Sequence, residues 1–95
     1  MKVMYTTLKE KRAILNSFND IVEVKDDDNV FSYYLATDNS YKLIGKGFKE
    51  SGEGYIYNRN YNDYGRTKDG WVDVKDFTAN ELRDLVRDTI SSYSR

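Results

Sequence analysis

The spacing of apolar side chains changes twice along this 95-residue chain, from three-and-four near each end to two in the middle. Those are the periods of a helix surface and of a pleated strand, so the chain predicts a helix, a set of half-buried strands and a second helix. At the C-terminal end Leu82, Leu85, Val86, Thr89, Ile90 and Tyr93 form one stripe, opposite Arg83, Asp84, Arg87, Asp88 and Ser91. Thr78-Ala79-Asn80-Glu81 has the form of a capping box, in which the threonine oxygen accepts an orphan amide and the glutamate reaches back. Phe77 and Leu82 stand at the staple positions around it. A weaker box, Thr7-Leu8-Lys9-Glu10, precedes Leu8, Ile14, Leu15 and Phe18 and predicts a helix over 7–18.

Between the helices, Ile21 to Lys25 and Val30 to Ala36 flank the turn cluster Asp26-Asp27-Asp28-Asn29. Tyr41 to Lys49 and Tyr55 to Arg59 flank Glu50-Ser51-Gly52-Glu53-Gly54, a second hairpin signal, and Trp71 to Lys75 reads as a short fifth strand. Gly45 and Gly47, inside the third strand, mark a bulge or a close backbone approach. Residues 60–70 hold no aliphatic side chain and read as a loop. The expected fold is therefore α+β: an N-terminal helix, an antiparallel β-meander of four to five strands and a C-terminal amphipathic helix, with both helices on one face of the sheet. Residues 1–95 form a single domain.

Alternation sorts the strand residues into two faces. One set, Val22, Val24, Phe31, Tyr33, Leu35, Leu43 or Ile44, Phe48, Ile56, Val72 and Val74, is mainly aliphatic and belongs under the helices. The other, Tyr34, Tyr55, Tyr57, Arg59, Trp71, Asp73 and Lys75 with Tyr41, is aromatic and amphipathic. Two helices cover one face of such a sheet, which leaves the second set open to a partner.

The chain has no histidine and no cysteine, so it carries no disulfide, no thiolate metal site and neither of the usual proton-trading or nucleophilic side chains. The candidate carboxylates Asp26, Asp27, Asp28, Glu50 and Glu53 fall in hairpin turns, where water keeps their proton affinities ordinary. The triple aspartate lacks the turn glycine and distant glutamate of a calcium loop, and the segment from Asn60 reaches Trp71 where that glutamate should stand. Gly45-Lys46-Gly47 and Gly52-Glu53-Gly54 do not continue into phosphate-binding loops. The expectation is a protein that is not an enzyme and uses no cofactor and no metal. The N-terminal stretch passes into charged Lys9-Glu10-Lys11-Arg12 where a signal peptide would need an apolar segment, and no apolar run approaches a membrane span. A cytoplasmic setting without membrane contact is expected.

What remains is contact chemistry. Tyr55, Tyr57, Tyr61 and Tyr64 alternate with asparagines, Arg59 and Arg66, and tyrosine can lose water against a partner while keeping its hydroxyl bonded. With Tyr34 and Trp71 these residues predict a non-enzymatic protein-binding module. The acidic tips at Asp26–Asp28 and Glu50–Glu53 suit a basic groove on a partner that itself holds nucleic acid. Self-association as a homodimer is another use of the same face. The alternative is a single-stranded nucleic-acid-binding domain, with tyrosines stacked on bases and Arg59, Arg66, Lys46 and Lys68 on phosphates. A net charge of −1 makes direct nucleic-acid binding the lesser expectation. In composition, rich in Asn, Lys, Asp and Tyr and lacking Pro, the chain is similar to small proteins of phages and mobile elements. That similarity implies an inhibitor of the anti-CRISPR or other anti-defence type.

Overall fold

Both predicted capping boxes form. Thr7 Oγ1 accepts the Glu10 amide at 3.2 Å while the Glu10 carboxylate accepts the Thr7 amide at 2.9 Å, and this exchange starts α1, Leu8–Asn16. The hydrogen bonds also hold the Glu10 carboxyl below its usual range. Thr78 and Glu81 make the same exchange at 3.3 and 2.8 Å ahead of α2, Ala79–Tyr93. α1 stops short of the predicted Phe18 because the Ser17 hydroxyl and amide both turn back onto the Ile14 carbonyl. The computed structural model describes residues 5–61, 65 and 67–93.

The strands are β1 (Ile21–Lys25), β2 (Phe31–Ala36), β3 (Tyr41–Phe48), β4 (Tyr55–Tyr57), β5 (Thr67–Lys68) and β6 (Trp71–Asp73). They form one antiparallel sheet in the order β1-β2-β3-β4-β6-β5, and the fold is α+β. β5 lies inside the predicted 60–70 loop. It is made by Asp69 (φ 55°) and Gly70 (φ 85°), whose left-handed conformations form the tight two-residue connection that matches strand twist.

α1 and α2 cover one face. Leu15, Ile44, Phe48, Ile56, Val72, Val74, Leu82 and Val86 lose all solvent contact there, and Tyr33 meets Phe48 edge to face at 5.1 Å. Two register breaks in the β2–β3 pairing decide which third-strand residues take part. Adjacent Tyr33 and Tyr34 face Gly45 and Leu43, so Ile44 is the extra residue, and it turns inward while Leu43 turns out. The second break falls between the Phe31–Phe48 and Tyr33–Gly45 pairs and holds Gly47 at φ 71°.

β1 corrects the sorting read from the sequence. Val22 and Val24 face solvent, 42 and 47% exposed, while Ile21 and Glu23 face the helices. The reason is polar. Arg12 from α1 grips Glu23 through two hydrogen bonds of 3.0 and 3.1 Å, and the Tyr33 hydroxyl (2.7 Å) and Asn16 amide (2.9 Å) donate to the same carboxylate. The Arg12 guanidinium also lies 4.1 Å from the centre of the Phe31 ring. The opposite parity would bury the two valines but expose Ile21 and give up this charge-assisted fork with its two further donors, so its net apolar gain is small.

This clamp makes stability pH-dependent. The Arg12 hydrogen bonds, reinforced by Tyr33 and Asn16, hold the Glu23 carboxyl down at about 2. Because the folded state binds that proton less readily than the unfolded chain, the contribution is complete above the unfolded carboxyl's range and fades as the pH falls from about 5 toward 2. Discounted for the 42% exposure of the Arg12 side chain, the clamp is worth roughly 1–3 kcal/mol. Urea unfolding at neutral pH should show Glu23→Gln destabilised by about that amount, and the variant should lose much of the wild type's decline between pH 5 and pH 2.

Candidate functional site

The face of the sheet turned away from the helices carries a row of large side chains set by strand register. Val22 stands opposite Tyr34 and Tyr34 opposite Leu43; Lys46 stands opposite Tyr55 and Tyr55 opposite Asp73; Tyr57 stands opposite Trp71 and Trp71 opposite Lys68. Every strand contributes. Tyr41 is 66% exposed and Leu43 and Tyr55 are more than a third exposed, so the row is open to contact.

Its aromatic end is built around Trp71. Tyr57 packs edge-on against the indole at a centroid distance of 5.2 Å, and Lys46 Nζ sits 4.2 Å from the indole centre. Gly70 makes this possible, because a Cβ there would lie 2.6 Å from the Tyr57 ring. Lys46, Tyr55, Lys68, Asp69, Trp71 and Asp73 line a shallow hollow of about 470 Å³. Two ammonium groups face two carboxylates there, so the hollow has aromatic walls and balanced charge.

The structure gathers Tyr34, Tyr55, Tyr57 and Trp71 on this one face, as their alternation implies. Arg59 is exposed where β4 runs out beside the end of α2, in a hollow shared with Tyr57, Asn58, Asn60, Ser92 and Tyr93 and separate from the one at Trp71. Asn58 fixes that corner: its side chain donates to Asp88 at 2.8 Å and to Thr89 at 3.3 Å, and its oxygen accepts the Asn60 amide at 2.9 Å. Tyr61 leaves the surface set, because its ring turns toward the core 6.2 Å from Phe77. Tyr64 and Arg66 lie outside the described residues.

The two acidic turns project from the same end of the sheet and share a hollow of about 670 Å³ with Leu8, Lys25 and Lys49. Asp26 is spent on its own turn, accepting the amides of Asp28 at 2.8 Å and Val30 at 3.1 Å. Glu53 is tied to Ser51 at 2.7 Å and to Lys49 at 3.7 Å, and the Ser51 hydroxyl with Lys49 holds its carboxyl below the usual range. Asp27, Asp28 and Glu50 remain exposed at the tips.

Val22 and Val24 belong to the surface although the sequence pattern placed them under the helices, and Leu43, left open against Ile44, joins them, beside Lys46 and Lys68. The Asp69-Gly70 pair was the available signal for the hairpin that places Lys68, whereas nothing local to β1 signals the outward valines. Lys11, fully buried, is structural: its ammonium donates to the carbonyls of Thr6 and of Lys75 (3.1 Å), and burial pushes its pKa down. Among the described residues no group of His, Cys, Asp or Glu is arranged to hold a metal ion, and no helix is long and apolar enough to cross a membrane. No protein-family model, curated protein or solved structure matches the chain.

Replacing Gly70 by alanine should both strain a left-handed turn and displace Tyr57. A loss of about 1–3 kcal/mol in urea unfolding is expected, with a shift in the emission of Trp71, the single tryptophan.

Proposed function

We propose that this chain is a small non-enzymatic module that binds another protein through the outer face of its sheet. The observation that supports this most strongly is that strand register sets Val22, Tyr34, Leu43, Tyr55, Tyr57 and Trp71 on that one face, with Val22, Leu43 and Tyr55 exposed there. Aliphatic and aromatic side chains gathered on one uncovered face are a feature of contact surfaces. The partner chemistry that fits is an apolar patch bordered by basic residues, which would meet Asp27, Asp28 and Glu50 at the sheet's end. Support for a non-enzymatic role comes from the chain's lack of histidine and cysteine and from two of its charged groups being occupied structurally, half-buried Glu23 in its clamp and buried Lys11 among carbonyls. The composition's similarity to proteins of phages and mobile elements makes inhibition of a nucleic-acid-handling host protein the setting we favour.

Leu43→Asp and Tyr55→Ala test this directly. Both side chains are exposed, so unfolding free energies should move by less than about 1 kcal/mol, whereas capture of the partner from a nuclease-treated host lysate should fall at least tenfold. Undiminished capture by both variants would remove the face from the interaction.

One observation favours a second reading, binding of single-stranded nucleic acid: Lys46 and Lys68 flank Trp71 and Tyr55 in the same hollow. In that case labelled single strands bind at low salt with a shallow log–log slope of about −1 to −2, as two phosphate contacts require, and Lys46→Ala with Lys68→Ala abolishes it. Absence of binding at low salt dismisses this reading.

A further inference from the structure

We propose that β1 is a self-association edge: two copies of this chain pair antiparallel through it, with Glu23 of each opposite Lys25 of the other and Val24 opposite Val24. The proposal goes beyond docking on another protein and needs no partner of a different kind.

The strand order leaves β1 and β5 at the two edges. β5 has two residues and offers little to pair with; β1 has five, with no proline, and its pairing with β2 runs in unbroken register. The direction of its backbone groups follows from two hydrogen bonds at the ends of the ladder. Ala36 N–H donates to the Asp20 carbonyl at 2.8 Å and Asp26 N–H to the Val30 carbonyl at 3.0 Å, so the even-numbered residues bond to β2. The amides and carbonyls of Glu23 and Lys25 therefore point away from the sheet. Beside them Val22 and Val24 stand exposed on the outer face.

Charge chooses the register. An antiparallel twofold centred on Val24 sets Glu23 against Lys25 twice, forms four main-chain hydrogen bonds between those residues, and brings the two Val24 side chains together in a non-hydrogen-bonded pair. A twofold centred on Glu23 sets two carboxylates against each other. One centred on Val22 leaves Lys25 without its counter-charge. An inward-facing charge on an edge strand ordinarily discourages pairing, but Arg12 already compensates Glu23 within each copy, and Lys25, two residues along the same face, adds a longer-range preference for the register that sets it against Glu23. The product joins two six-stranded sheets into one and doubles the outer row, with Val22 and Val24 continued across the twofold. Four hydrogen bonds and a narrow apolar contact make a small interface, so the dimer is concentration-dependent.

The test uses cysteine, which the chain lacks. Under mild oxidation Val24→Cys should cross-link to a dimer, because cross-strand positions in a non-hydrogen-bonded pair lie within disulfide reach, while Val22→Cys should not. Sedimentation of the wild type should show the mass rising toward twice 11.1 kDa with concentration. Lys25→Glu, at an exposed side chain, should keep the circular dichroism of the fold yet weaken association about tenfold or more. A monomeric mass at the highest soluble concentration overturns the proposal. So does faster cross-linking of Val22→Cys than of Val24→Cys, or association unaltered in Lys25→Glu. These outcomes are independent of whether Leu43→Asp and Tyr55→Ala disturb capture of another protein.

Discussion

The arrangement of the surface depends on one carboxylate. Glu23 sits on the helix-facing side of an edge strand, where a charge can remain only if its lone pairs are filled, and Arg12, Asn16 and Tyr33 fill them. That choice sets the parity of β1. With Glu23 turned in, Ile21 joins the core and both valines are turned out, so a polar contact on one side of the sheet creates apolar surface on the other. The same contact anchors α1 to β1, which otherwise touch sparingly beyond the apolar stripe of Ile14 and Leu15.

Much of the architecture was legible because local and global preferences agree. Two capping boxes announced both helices, and the aspartate cluster and the Glu50–Gly54 segment announced two hairpins, since each requires a particular residue at a particular backbone position. The faces of β2, β4 and β6 followed from alternation. β1 did not, because Val-Glu-Val reads as buried-exposed-buried to any rule that ranks side chains by polarity, and the guanidinium that reverses it lies eleven residues away. β3 was ambiguous at Leu43 and Ile44 for a related reason: a bulge inserts one residue and shifts the alternation midway along the strand. The short β5 escaped because its two residues carry no apolar pattern, although Asp69-Gly70 has the turn chemistry that a hairpin needs.

The candidate surface was legible in its aromatic half and hidden in its aliphatic half. Tyr34, Tyr55, Tyr57 and Trp71 converge as period two requires, whereas Tyr61 shows that a tyrosine-rich segment is not uniformly exposed. The two halves differ in construction. Around Trp71 the rings are held by an edge-on neighbour, a cation over the indole and a glycine that leaves room for Tyr57. Val22, Val24 and Leu43 are 37–47% exposed, with no ring or cation contact of that kind beside them among the described residues.

The segments that lead into the two helices are fastened to each other. The amide and hydroxyl of Thr6 both donate to the Phe77 carbonyl, across 71 residues, and Lys11 reaches the Lys75 carbonyl from the next helical turn. Each hairpin closes over a few residues, whereas this clasp must wait until the whole sheet has shortened the distance between its ends. On loop-closure grounds the hairpins of the meander are expected to form before this clasp, which closes the longest loop among these contacts.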